Sequence, residues 1–152
     1  MNTPYEYVKY KLQLVKEDSV ESLEHYEISS PIPAHQFLTK ICKLHLNPQE
    51  VFLVIALNAK GSIIGYHTAS IGILNSTLIH PREIFKFLIQ CNASAAILAH
   101  NHPSENPNPS KKDFETTKQL VQAGKLLRIP VLDHIIVGNE SDFISLKEWN
   151  FV

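Results

Sequence analysis

Three short, nearly continuous apolar runs limit what this chain can become. They are Glu50-Val-Phe-Leu-Val-Ile-Ala-Leu57, Ser94-Ala-Ala-Ile-Leu-Ala99 and Pro130-Val-Leu-Asp-His-Ile-Ile-Val137. Their length and their Val and Ile content read as strands buried in the body of a sheet rather than as half-exposed ribbons. Between them lie segments of helical period. Ala34 to Leu46 repeats Phe37, Leu38, Ile41, Cys42 and Leu44, and Pro48 closes it. His80-Pro81 opens a second helix with Ile84, Phe85 and Leu88 on its buried face. Ser110 begins a third, with Phe114, Thr117, Val121 and Gly124 on one stripe. Asn58-Ala-Lys-Gly61 is turn chemistry that pairs the first strand with Ser62–Ile71 as a hairpin, and a short strand over Asp142–Leu146 follows the turn at Gly138–Ser141. The expected fold class is α/β, a mixed sheet with helices on its faces.

The 152 residues suffice for one domain, and a chain of that length buries roughly 68–70% of its unfolded surface. We expect the domain over residues 34–152, preceded by an extension over 1–33 that packs on it. Within the extension, Tyr7–Val15 alternates, with Tyr10, Leu12 and Leu14 on one side, as a strand would, and Pro31-Ile-Pro33 reads as a break. The start has no charged and then apolar leader, and no apolar run is long enough to span a membrane, so a cytoplasmic protein is expected. Cys42 and Cys91 form no CxxC pair, which argues against a cysteine zinc site and a disulfide framework. Asn75-Ser-Thr and Asn92-Ala-Ser match the glycosylation acceptor pattern and are read as chance. With Lys plus Arg at 14 against Asp plus Glu at 15, the chain lacks the basic excess of a protein that grips nucleic acid through phosphates. Lys9, Lys11, Lys16, Lys111, Lys112, Lys118 and Lys125 are dispersed and read as a solvated face.

The chemistry concentrates in His100-Asn-His102-Pro-Ser-Glu-Asn-Pro-Asn-Pro-Ser110-Lys-Lys-Asp113. Residues two apart on a strand point to one side, so His100 and His102 can offer two imidazoles to one metal ion. Catalytic zinc takes three protein ligands and a water, and Asp113, in the first turn of the next helix, is the natural carboxylate. Ser110 and Asp113 equally fit a helix capping box. The two readings are compatible.

His100-x-His102-Pro103 followed by Ser110-x-x-Asp113 resembles the JAMM motif of the MPN/JAB metallopeptidases. Ile97-Leu-Ala-His-Asn-His-Pro-Ser104, His80-Pro-Arg-Glu83 and Leu132-Asp-His134 resemble the RadC family, the bacterial JAB branch named for DNA repair, over about residues 34–148. The resemblance implies a cytidine-deaminase-like fold, zinc held by His100, His102 and Asp113 with water as the fourth ligand, Ser110 polarising the attacked carbonyl, and Glu50 as general base. It also implies a hydrolase of a peptide or isopeptide bond. For Glu50 the plainer alternative is a solvated strand end. Glu83 is the rival acid, for which a favourable place in a helix's first turn is explanation enough. His134, beside Asp133, is either a structural hydrogen-bond partner or a support for the ligands.

The sequence departs from the family in two ways. Glu105 stands where RadC proteins commonly have glycine, which permits backbone angles other residues resist. The N-terminal helix-hairpin-helix region of longer RadC proteins is expected to be missing, which weakens a DNA-repair role. A DNA-associated factor of recombination or repair and a catalytically silent MPN interaction module remain as alternatives. A nucleobase deaminase does not fit, because its His-x-Glu and Pro-Cys-x-x-Cys are not here. His25, His35, His45 and His80 carry no assigned role, His67 reads as an outward strand residue, and Trp149 as a packing anchor.

Overall fold

The computed structural model describes residues 6–22, 24–72 and 79–152. Its elements run in the order α1 (Pro31–Lys40), a short 3-10 turn (Leu44–Leu46), β1 (Glu50–Leu57), β2 (Ile63–Gly72), α2 (Pro81–Gln90), β3 (Ala95–Asn101), α3 (Lys111–Leu127), β4 (Val131–Val137) and β5 (Phe143–Ser145). The five strands form one sheet in the order β2-β1-β3-β4-β5. β1 is antiparallel to both β2 and β3, β4 is antiparallel to β5, and β3 and β4 are parallel. A parallel pair needs a crossover, and α3 supplies it. The three apolar runs become the three central strands, as their lack of alternation requires.

Each face of the sheet is covered. On one face α1 packs Ala34, Phe37 and Leu38 against Leu53, Ile55 and Leu57 of β1 and against Ile97 and Ile135. On the other, α2 and α3 pack Ile84, Phe85, Leu88 and Leu120 against Val54, Ala56, Ala96, Leu98 and Val131. Leu38, Leu57, Ile84, Leu88, Ile97 and Leu120 are among the large side chains fully removed from water, each stabilising the fold by about 1.5–3 kcal/mol before entropy is subtracted. No helix among the described residues is long and apolar enough to cross a membrane.

Four expectations are corrected. Tyr7–Val15 forms no strand: residues 6–22 contain neither helix nor strand, and Tyr7, Tyr10 and Leu12 stand 90%, 82% and 79% exposed. Alternation makes a strand only where an edge receives it. The first helix runs over Pro31–Lys40 rather than Ala34–Leu46. Pro31, at the first helical position, starts it instead of breaking it, and the chain leaves it through Lys43 in the left-handed region, φ 53°. On α3 the buried positions are Thr117, Leu120 and Gly124, whereas Phe114 and Val121 are only partly covered. Trp149 is 47% exposed, so it is no buried anchor, although its ring lies 6.4 Å from that of Phe114.

Candidate metal centre

β3 runs two residues farther than its apolar stretch, through His100 and Asn101. Its alternation sends His100 to the α2/α3 face and Asn101 to the α1 face. Beyond the strand the backbone N–H of His102 still donates to the Val137 carbonyl, 2.9 Å away, so His102 holds its place in the sheet. The Nε2 atoms of His100 and His102 are 3.0 Å apart. Asp113 lies over them, with Oδ1 3.3 Å from His100 Nε2 and Oδ2 3.4 Å from His102 Nε2. The three donors fall within 4.8 Å of one another.

Asp113 is placed by the start of α3. Its backbone N–H donates to Ser110 Oγ, and its Oδ2 accepts from the Ser110 N–H at 2.7 Å. The capping box and the candidate ligand are therefore the same residues in one arrangement: the cap fixes the carboxylate, and Oδ1 is left free of it. Burial works to raise the Asp113 carboxyl, but the contacts that His100 and His102 make with it when their rings are protonated prevail and hold it well below the usual carboxylate range. Burial likewise disfavours a charged His102, yet Asp113, the Asn106 carbonyl and the charge of Glu50 together raise it.

Both rings are also anchored from behind. His102 Nδ1 donates to the Asn106 carbonyl at 2.8 Å, because a carbonyl can only accept. That leaves His102 Nε2 unprotonated in the neutral ring. His100 Nδ1 lies 2.8 Å from Nε2 of His134, which has no exposed surface, and His134 Nδ1 lies 2.6 Å from Thr117 Oγ1. His134 thus supports a candidate ligand. Thr117 was not legible as part of the site, since its place on the apolar stripe of α3 marks it only as core. Phe52 forms the floor, stacked on His100 with ring centroids 5.9 Å apart.

Glu50 begins β1. Phe52 pairs with His100 at the end of the β1–β3 ladder, and Glu50, two residues before it on β1, lies on the face that Phe52 shares, where its charge acts on His102. A second unforeseen residue frames it. Asn101 donates through Nδ2 to the carbonyls of Asn47 at 3.2 Å and Gln49 at 3.0 Å, and its Oδ1 accepts from the Val51 N–H at 2.8 Å. The only hint in the sequence is its position between the two histidines. Glu83 lies outside the cluster, paired with Lys86 at 2.8 Å on the surface of α2. Glu105 turns the loop in the left-handed region with φ 63°, where glycine is at ease.

Two neutral imidazole nitrogens and a carboxylate, partly shielded and each held by a second contact, suit a divalent first-row metal such as zinc.

The RadC-like JAB domain family model matches residues 28–151. The chain is 46% identical over 125 residues to a UPF0758 protein of Caldanaerobacter subterraneus subsp. tengcongensis, covering 82% of this chain and 52% of that relative. It is 44% identical over 138 residues to a UPF0758 protein of Alkaliphilus metalliredigens (90% and 58%). A third UPF0758 protein, from Moorella thermoacetica, is 50% identical over 104 residues (68% and 45%). The chain thus spans about half the length of these relatives. With the matched model covering most of its residues and the His-His-Asp group assembled between the end of β3 and the start of α3, the chain belongs to the RadC-like JAB domain family.

Proposed function

We propose that this chain is a zinc-dependent hydrolase of an amide bond in a peptide or isopeptide. The observation that carries the reading is the convergence of His100, His102 and Asp113 within 4.8 Å. Zinc held by these three residues would supply an acidified water and a Lewis acid for the carbonyl oxygen.

The chain's own residues supply the rest. Glu50, whose charge acts on His102, would take a proton from the attacking water and deliver it to the leaving nitrogen. Ser110 Oγ accepts from the Asp113 N–H, so its hydroxyl proton is free to donate to the developing oxyanion; one such donor contributes about 3–4 kcal/mol. Phe52, itself buried, stacks on the His100 ring and helps hold its orientation.

The test is metal content by elemental analysis joined to turnover on a peptide and isopeptide panel read by mass spectrometry. Wild type should hold near one zinc per chain and Asp113→Ala much less. Glu50→Gln should keep the metal and lose cleavage. Wild type without metal after zinc is supplied refutes the reading. Wild-type turnover in Glu50→Gln removes Glu50 from its role.

A further inference from the structure

We infer that Thr117 and His134 are positioning residues that fix the tautomer of His100, holding its Nε2 unprotonated toward the metal position. The inference rests on the reading of His100, His102 and Asp113 as metal ligands, and it follows from the polarity of one buried hydrogen-bond chain.

Thr117 Oγ1 has two close neighbours, the Asp113 carbonyl at 2.6 Å and His134 Nδ1 at 2.6 Å. A hydroxyl has one proton. The carbonyl can only accept, so the Thr117 proton goes to Asp113 O. His134 must therefore be the donor on the other side, with its proton on Nδ1. A second proton on His134 would place a full charge where no surface is exposed, an arrangement burial disfavours. Its Nε2 is accordingly a lone pair, and it can accept only if His100 carries its proton on Nδ1, 2.8 Å away. The proton on His100 then points away from the site, and His100 Nε2 presents a lone pair.

The same holds for His102, whose Nδ1 donates to the Asn106 carbonyl. In their neutral forms the two rings face each other lone pair to lone pair at 3.0 Å, with the Asp113 carboxylate beside them. That contact repels unless a cation sits between. If the relay ran the other way, His100 would carry its proton on Nε2 and simply donate it to His102, and the pair would need no metal. Thr117 thus decides whether the cluster is a closed hydrogen-bonded pair or a set of ligands. It also ties the two ligands mechanically, since its hydroxyl touches the backbone of Asp113 and, through His134, the ring of His100.

Removing the Thr117 hydroxyl while keeping its shape, as in Thr117→Val, leaves the buried His134 Nδ1 proton without its acceptor. His134 then gains by moving its proton to Nε2 and donating to His100, which drives the His100 proton onto Nε2. Metal binding must reverse both shifts. Thr117→Ser keeps the hydroxyl and serves as the rescuing variant.

The experiment uses the full chain stripped of metal by a chelator at pH 8, with long-range proton–nitrogen NMR of the imidazoles and zinc affinity by competition with a chromophoric chelator. In wild type, His100 and His134 should both be protonated on Nδ1. In Thr117→Val, both should shift toward Nε2 protonation, and zinc affinity should fall about 10–100-fold, the range for loss of an outer partner of a metal-binding histidine. Thr117→Ser should restore the tautomers and bring affinity to within about threefold of wild type. A protein that merely needs Thr117 for packing would lose stability with its tautomers unmoved. Wild-type His134 protonated on Nε2, or Thr117→Val with unchanged tautomers and wild-type zinc affinity, overturns the inference while leaving the ligand set standing. Nδ1 protonation of both rings in a wild type that binds no zinc supports the relay and refutes the ligand reading instead.

Discussion

Replacing Asn101 tests whether the frame around Glu50 is built as described. Asn101 is 1% exposed and makes three hydrogen bonds, to residues 47, 49 and 51, on both sides of Glu50. In Asn101→Ala the Val51 N–H, in a residue 6% exposed, loses this acceptor, at a cost of about 1–3 kcal/mol for a buried unsatisfied group. The space left behind adds about 1 kcal/mol. The carbonyls of Asn47 and Gln49 add little, because Gln49 is exposed and Asn47 partly so, and water can replace the amide. The sum is a loss of about 2–4 kcal/mol, read by urea unfolding followed by circular dichroism. Asn101→Asp keeps the acceptor for Val51 but sets a second oxygen against two carbonyl oxygens. It should be at least as damaging at neutral pH and should recover toward wild type as acid protonates the introduced carboxyl. Zinc affinity should change little in either variant, because His100 and His102 point to the opposite face, whereas any turnover that depends on Glu50 should fall. A loss in Asn101→Ala below about 0.5 kcal/mol, the range of an ordinary surface change, refutes this account of the frame.

Other sites give sharper local tests. A Cβ on Gly138 would lie 2.5 Å from the Glu105 carbonyl oxygen and 2.9 Å from Pro107 Cδ. Gly138→Ala should therefore cost about 1–3 kcal/mol by thermal unfolding, and it should weaken zinc binding as well, because the displaced loop carries the Asn106 carbonyl that anchors His102. Glu105→Gly should act in the opposite direction and raise stability by about 1 kcal/mol, since it relieves a φ of 63°; a lower melting temperature would contradict this. His35 is buried, which lowers its pKa from the ordinary 6.5, opposed by its bond to the Asn139 carbonyl. The unfolded chain takes up this proton more readily than the folded one, so the stability His35 contributes is complete above about pH 6.5 and is lost as pH falls through that value toward the lowered one. Urea unfolding at pH 7.5 and 5.5 should show a smaller acid loss in His35→Phe, which retains the stack on Phe143, than in wild type.

The parts of this molecule readable from sequence are those where one physical requirement dominates. Glu50–Leu57 is buried on both faces, so its unbroken apolar run could mean little but a central strand. The candidate ligands were legible as a group because a metal site needs specific donor atoms at a specific spacing, and His100, His102 and Asp113, which the fold brings together, offer both. Where a residue serves through its partners, the signal vanishes. Thr117 looks like one more small residue on a helix stripe, and Asn101 like a spacer, because their roles depend on atoms contributed by residues far along the chain. The misreadings have the same origin. Tyr7–Val15 has the alternation of a strand but no partner, and Pro31 reads as a break until the helix it starts is seen. Ser110 was ambiguous for a better reason, since cap and site coincide there.

Everything that holds the candidate metal, including His134 and Thr117, belongs to one continuous stretch from β3 through α3 to β4, while Glu50 comes from the preceding hairpin. On the proposed reading, capture of the ion and use of it are therefore separately encoded. If that reading holds, a single change at the start of β1 would silence the chemistry without disturbing the chelate, whereas damage to the chelate would remove both. Descendants that kept the ion and abandoned turnover would then be one mutation away, and metal content alone would report the scaffold rather than a working catalyst.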